Sequence, residues 1–230
     1  KEKIKEIGKS IYERFFEAHG LEPQEDEEMR ISIVRNFLLW SAASLDSEQV
    51  IKFGKARFQG LMEGGSVSAD ILSSILRIGA MSHDGAMDYF TEKMKAPETP
   101  QVEKAYIYQA LGCFKGKEAI LDALDLVLEE VPPQSWLYAF RQISSNPEAL
   151  PHLWPWFKNN LDVLEDQSPF VLARTINALI PTGGLVNPEE VKRFLGAYAE
   201  KNEFHADTID MVLELLEINL KFKKENLNKQ

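Results

Sequence analysis

Apolar residues recur at steps of three and four along nearly the whole chain, and this spacing constrains the fold more than any other feature. In the first segment Ile4, Ile7, Ile11 and Phe15 follow it, and the run stops at Gly20. Residues at these steps share one face of an α-helix, and glycine commonly follows a helix end. Alternation of apolar and polar residues, the pattern of a half-buried strand, never persists for five residues. The sequence therefore predicts an all-α protein.

The helical spacing resumes after each polar loop and predicts about a dozen helices. The later predicted segments are 29–43, 47–62 with Asp46 or Ser47 as cap, 71–78 with Ser68 as cap, 84–94, 100–111, 117–130, 134–143, 168–180, 188–200 and 206–224. Short connections favour antiparallel neighbours, so we expect a curved solenoid of stacked antiparallel helix pairs, similar to armadillo or HEAT repeats. No consensus recurs at a fixed period. Residues 1–230 are expected to form a single superhelical domain.

Composition and charge exclude several classes of function. The chain has 230 residues, of which 44% are hydrophobic, and its net charge is −10. No basic stretch interleaved with aromatics is present, so we expect no binding to nucleic acid, and the absence of a long apolar run predicts no membrane span or signal peptide. Cys113 is the one cysteine, and the sequence has no Asn-x-Ser/Thr acceptor, which favours a cytoplasmic protein. Because the first residue is Lys1, we expect a fragment of a longer protein.

No catalytic or metal-binding motif is evident. The histidines are far apart in sequence, at His19, His83, His152 and His205, and the zinc-protease signature H-E-x-x-H is absent. Cys113, at a predicted helix end, is interpreted as a packed thiol rather than a nucleophile. The stretch GAMDY, residues 85–89, is similar to the G-A-M-E-N exopeptidase motif, but Asp88 and Tyr89 depart from it and it opens a predicted helix. We therefore predict no catalytic residue and no metal ligand.

Two groups of acidic residues are interpreted as solvent-exposed rather than as ligand sites. Between Glu22 and Glu28 the acidic residues form a polar connector, which is more typical of a solvated loop than of a cation site. Asp122 and Asp125 lie one helical turn apart without a denser carboxylate cluster, so they are interpreted as a solvated helix face. Neither group predicts a ligand.

The stretch NPEALPHLWPWFKNNLDVL combines helical apolar spacing with prolines four residues apart. Asn146 is expected to cap a helix with Pro147 at its first position, where the missing donor is harmless. Pro151 and Pro155 are expected to break or kink the path into two short turns. The aromatic side chains are then expected to enter the seam between successive helix pairs: Trp154, Trp156 and Phe157.

The order of these segments resembles a known domain. An acidic loop precedes MRISIVRNFLLWSAA, and IGAMSHDGAMDYF, QALGCFKGKEAILDALDLVL, the proline-rich stretch, NPEEVKRFLGAYAE and a last helix with LEIN follow. This series is similar to the C-terminal helical domain of the large zinc aminopeptidases, which include the puromycin-sensitive enzyme, the endoplasmic-reticulum trimming enzymes and the archaeal tricorn-interacting factors. The family's corner motif is matched at Asn146, Pro147, Trp154 and Asn160. The chain departs from this motif at Ser145, Trp156, Phe157 and Leu161, and its last helix has Phe222 where the family commonly has tryptophan.

The resemblance implies a parent enzyme that removes amino-terminal residues from peptides, with its zinc site in a preceding domain. This chain would hold no cofactor and would be inactive by itself. It would contact the catalytic domain of the same parent chain, close the substrate chamber, and touch the distal part of peptide substrates. The alternative is a free-standing helical-repeat scaffold that binds a partner protein on its concave face.

Two arginines are candidate substrate-binding residues. Arg141 in SWLYAFRQIS and Arg174 in SPFVLARTINAL are cations on otherwise apolar helices of an acidic chain. A guanidinium offers paired planar donors to a carboxylate and keeps its charge at any relevant pH. Under the functional interpretation one of them binds a peptide's carboxylate. Under the structural one each pairs with a neighbouring carboxylate or caps a helix end.

Overall fold

The computed structural model describes residues 2–227, with side chains from residue 6 to residue 225. These residues form thirteen α-helices and three short 3₁₀-helices, and no strand occurs among them, which confirms the all-α prediction. The side chain of Ile4 and all of Lys1 lie outside the described residues. The chain divides into two compact units, Lys1–Phe114 and Lys115–Gln230. The expectation of one domain over residues 1–230 stays a prediction.

The first unit contains six helices. They are α1 (Glu2–His19), α2 (Met29–Ser44), α3 (Glu48–Met62), α4 (Ala69–Ser82), α5 (Ala86–Lys95) and α6 (Gln101–Ala110), followed by a 3₁₀ turn at Leu111–Cys113. Gly20 follows α1 with φ +71°, as its predicted role requires, and Ser68 Oγ accepts from the amide of Asp70 at 3.3 Å. These two signals correctly marked the end of α1 and the cap of α4, although α4 is longer than the predicted 71–78.

Helix α4 is the centre of the first unit. It packs against α2, α3 and α6, while α1 packs against α2 and α5 against α6. Ile71, Ile75 and Ile78 on α4 are fully buried. A Cβ at Gly79 would clash with the Phe58 ring of α3, so the glycine lets these two helices approach closely. The unit is thus a stack of helix pairs around α4.

The second unit contains seven helices and two further 3₁₀ turns. They are α7 (Lys117–Glu130), α8 (Trp136–Ser144), α9 (Leu150–Asn159), α10 (Leu161–Glu165), α11 (Pro169–Gly183), α12 (Pro188–Ala199) and α13 (Glu203–Leu227), with the turns at Pro133–Ser135 and Gly184–Val186. Helix α11 packs against α8, α9 and α13, and α12 packs against α13. The central helix of this unit is therefore α11.

The central helix α11 lies in an apolar segment of the chain. Among the described residues the segment Pro169–Val186 is long and apolar enough, with a mean hydropathy of 1.2, to cross a membrane by length and composition alone. Leu172, Ile176 and Ile180 in this helix are buried against its neighbours. A core helix of a folded unit passes the same test, and 39% of this segment is buried.

The proline-rich stretch is one helix, and the prediction of two short turns is wrong. Helix α9 runs without interruption from Leu150 to Asn159, with Pro151 in its first turn and Pro155 inside it. Asn146 Oδ1 accepts from the amide of Glu148 at 3.0 Å, but the residues between Asn146 and α9 form a turn. Asn146 therefore caps that turn, and the predicted helix start at Pro147 is wrong by three residues.

The aromatic residues of α9 link successive helices, as predicted. Trp154 lies edge-on to Phe194 of α12, with ring centroids 5.4 Å apart. Trp156 lies edge-on to Phe140 of α8 at 5.7 Å, and its indole nitrogen donates to Asp125 of α7 at 2.7 Å. All three aromatics of α9, Trp156 among them, are buried. Their burial offsets the backbone bond that Pro155 removes.

Candidate functional site

Arg141 lies on the exposed face of α8. The opposite face of this helix is buried through Trp136, Phe140 and Ile143, and the Trp136 indole donates to the carbonyl of Val131 at 2.8 Å. The side chain of Arg141 has no ion pair or hydrogen bond within the described part of the chain. It lies in the last turn of α8, where a cation also interacts favourably with the helix dipole.

Arg174 lies on α11, the helix that packs beside α8 in the same unit. The buried face of α11 carries Leu172, Ile176 and Leu179, and Arg174 projects from its exposed side. No carboxylate among the described residues pairs with it. Arg174 is in the middle of the helix, so end capping does not explain it. The structure thus brings both predicted arginines to neighbouring helices, exposed and without counter-ions in the described residues.

A third arginine, Arg77 of α4, was missed in the sequence. Its guanidinium carbon lies 5.6 Å from the centroid of the Trp40 ring on α2, and its Nη2 donates to Gln109 Oε1 on α6. Burial lowers the pKa of Arg77, and the nearby Cys113 thiol opposes this effect. The signal was available, since Arg77 is the one cation in the apolar segment ADILSSILRIGAMS.

The acidic loop has structural partners. Glu27 forms an ion pair with the fully buried Arg35, Glu22 with Arg57, and Glu28 with Arg30. Within the described residues no group of three or more His, Cys, Asp or Glu side chains is arranged to hold a metal ion. The loop therefore connects α1 to α2 through specific ion pairs, which is a more defined role than the solvated connector that we predicted.

The other sequence candidates are packed side chains or exposed carboxylates of α7. Cys113 is buried, which raises the pKa of its thiol to about 12, so the thiolate that a nucleophile requires is not formed near neutral pH. In the GAMDY stretch, Tyr89 lies edge-on to Phe58 at 5.3 Å, and burial raises the pKa of Tyr89 to about 12. Asp122 is exposed, and Asp125, also exposed, is held by Trp156. Cys113 and Tyr89 are thus packed side chains, and Asp125 has a structural partner in Trp156.

Comparison with known proteins identifies the family. No curated protein matches the chain. The model of the ERAP1-like C-terminal domain family matches residues 1–218, which is nearly the whole sequence. This domain is a helical repeat of the armadillo and HEAT kind, as the helix spacing predicted. The chain therefore belongs to the ERAP1-like C-terminal domain family, the helical C-terminal domain of the M1 aminopeptidases.

Proposed function

We propose that this chain closes the substrate chamber of an aminopeptidase and contacts the distal part of the peptide. The catalytic domain of the same parent chain is its partner, and that domain supplies the zinc site that removes amino-terminal residues. The observation that carries the proposal is the pair Arg141 and Arg174, exposed on neighbouring helices without a counter-ion in the described residues. Family membership supports it.

The physical argument concerns the far end of the substrate. Every unmodified peptide ends in a carboxylate, which a guanidinium binds through two parallel charge-assisted bonds. The chain's net charge of −10 repels that carboxylate over most of the surface. An unpaired arginine on an exposed helix face is therefore where an acidic domain attracts a peptide's carboxyl terminus. Only peptides long enough to reach the arginine gain binding energy from this contact.

The test is steady-state kinetics of the parent enzyme with Arg141→Ala and Arg174→Ala. At least one variant is expected to raise KM for peptides by about 10- to 100-fold, since a charge-assisted bond is worth about 1.5 to 3 kcal/mol. Single aminoacyl reporters, which cannot reach the site, are expected to keep their KM. The matched control is Arg30→Ala, which removes an exposed arginine that already pairs with Glu28.

Two results would reject this role. In the first, neither variant changes the peptide KM. In the second, the activity on reporters and the activity on peptides decrease equally, which indicates that the arginines support the fold.

We further propose a cytoplasmic location for the parent enzyme. The support is the lone Cys113 and the absence of Asn-x-Ser/Thr acceptors from the sequence. Fluorescence microscopy of the tagged parent enzyme tests it, and localisation in a secretory compartment would contradict the proposal.

A further inference from the structure

Arg77 is held in a fixed position by uncharged partners. Trp40 on α2 presents its ring to the guanidinium, and Gln109 on α6 accepts a hydrogen bond from Nη2. Both partners come from helices that pack directly against α4. Three elements of the first unit therefore orient this one cation before any ligand arrives.

No carboxylate neutralises Arg77 within the described part of the chain. The other ionisable residue of α4, Asp70, lies seven positions earlier, about 10 Å away along the helix axis. By contrast, Arg30, Arg35 and Arg57 in the same unit each pair with a glutamate. A chain with 36 acidic residues thus leaves the central helix of its first unit with a cation that no described carboxylate compensates.

Partial burial makes this arrangement costly. The Nε atom of Arg77 is buried and has no acceptor, whereas buried donors in native proteins are nearly always paired. A desolvated charge without a counter-ion is also unfavourable. Arg77 as a whole is partly exposed, so solvent reaches part of the residue. An anion bound there would offset the cost of the buried charge.

We infer that Arg77, with Trp40 and Gln109, forms a subsite for a carboxylate group. One guanidinium beside a neutral amide matches a single negative charge, whereas a phosphate group usually requires more cations or several backbone amides. That the carboxylate belongs to a peptide rests on the proposed function. It is either the peptide's carboxyl terminus or the side chain of an acidic residue.

The direct test is a nuclear magnetic resonance titration of the 230-residue chain. The side-chain Nε–H signal of Arg77 is assigned by its disappearance in Arg77→Lys and followed during addition of three peptides. One carries a free carboxyl terminus and no acidic residue, one carries a glutamate and an amidated terminus, and one carries neither. A saturating shift with the first or the second is expected, and which of them produces it identifies the source of the carboxylate.

Two variants separate ligand binding from a structural role. Gln109→Glu places a carboxylate beside Arg77, so it is expected to abolish the titration while the chain becomes more stable. Arg77→Lys keeps the charge but loses the planar fork, and it is expected to weaken peptide binding, measured calorimetrically, at least about tenfold. Arg57→Gln is the matched control, because that arginine already pairs with Glu22, and binding should be unchanged.

The inference is overturned if no carboxylate peptide shifts the signal up to about 10 mM, if the uncharged peptide shifts it equally, or if Gln109→Glu leaves binding intact. These outcomes are independent of the kinetics of Arg141→Ala and Arg174→Ala. A saturating shift with unchanged peptide KM in those two variants would retain the subsite and reject the proposed role of Arg141 and Arg174. If the signal does not shift but Arg141→Ala or Arg174→Ala raises the peptide KM, the subsite at Arg77 is rejected and the proposed role of the other two arginines is retained.

Discussion

Arg35, a fully buried residue of α2, forms a two-pronged ion pair with Glu27 in the loop that precedes the helix. The same guanidinium donates from Nη2 to the carbonyl of His19 at 2.7 Å and from Nε to that of Gly20 at 3.2 Å. One side chain therefore fastens the end of α1, the acidic loop and α2 together. Its donors are satisfied, which is the condition under which a buried charge is tolerated.

The first prediction is that Arg35→Met strongly destabilises the chain. The substitution leaves the carboxylate of Glu27 in a mostly enclosed site and frees two backbone carbonyls, and breaking a buried pair in this way costs about 3 to 5 kcal/mol. Urea unfolding measures the change in the free energy of unfolding. Arg30→Met, which breaks the exposed pair with Glu28, is the control and should change it by less than about 1 kcal/mol. Equal effects of both variants would contradict this account.

The second prediction concerns acid. The hydrogen bond from Arg35 holds the pKa of Glu27 below its ordinary value of 4.5. The unfolded chain therefore binds this proton more readily than the folded one. The stabilisation is complete above about pH 4.5 and is lost as the pH falls below that value towards the lowered pKa. Glu27→Gln removes the titrating group, so the stability difference between the native chain and the variant should shrink over that range. A difference independent of pH would refute the coupling.

Local features of the fold were readable from sequence because their causes are local. Gly20 takes the backbone conformation that glycine favours, Ser68 caps α4, and helix α7 has the predicted bounds 117–130. Each depends on residues within one turn of one another. The prediction for Asp84 shows the limit, since α5 begins at Ala86, and helix starts without a capping side chain are less sharply defined.

Two features were less predictable because they depend on contacts between distant residues. Arg77 and Gln109 are 32 positions apart, and Trp156 and Asp125 are 31 apart. Periodicity identifies the buried face of a helix but not the helix that will cover it. The rule that selected Arg141 and Arg174, a cation on an apolar helix, applies equally to Arg77. The sequence could not show that no described carboxylate pairs with Arg77.

The third prediction is that Pro155→Ala stabilises the chain. Pro155 is exposed inside α9, where it removes the donor to the carbonyl of Pro151 and crowds it. Restoring the bond outweighs the greater freedom of the unfolded variant, so thermal and urea unfolding should show a gain of about 1 kcal/mol. Pro151→Ala is the matched control. Its position in the first turn needs no donor, so no gain is expected. A loss of stability in Pro155→Ala would show that the aromatic packing requires the proline.

The fourth prediction concerns the bond between Trp156 and Asp125, which joins α9 to α7. The indole nitrogen donates to Asp125 Oδ1 at 2.7 Å, and Trp156 as a residue is 5% exposed. Trp156→Phe removes this donor and part of the buried ring, so its effect alone mixes two causes. A double-mutant cycle with Asp125→Ala isolates the bond and should give a coupling of about 1 kcal/mol.

The control for this cycle is Asp122→Ala, one turn earlier on the same exposed face of α7. Its coupling to Trp156→Phe should be close to zero. Asp122→Ala removes a negative charge from α7, as Asp125→Ala does, but it breaks no hydrogen bond to Trp156. If the two aspartates couple equally to Trp156, the cause is the general charge of α7. If only Asp125 couples, a directed hydrogen bond joins α7 to α9, the helix that carries Pro155 in its interior.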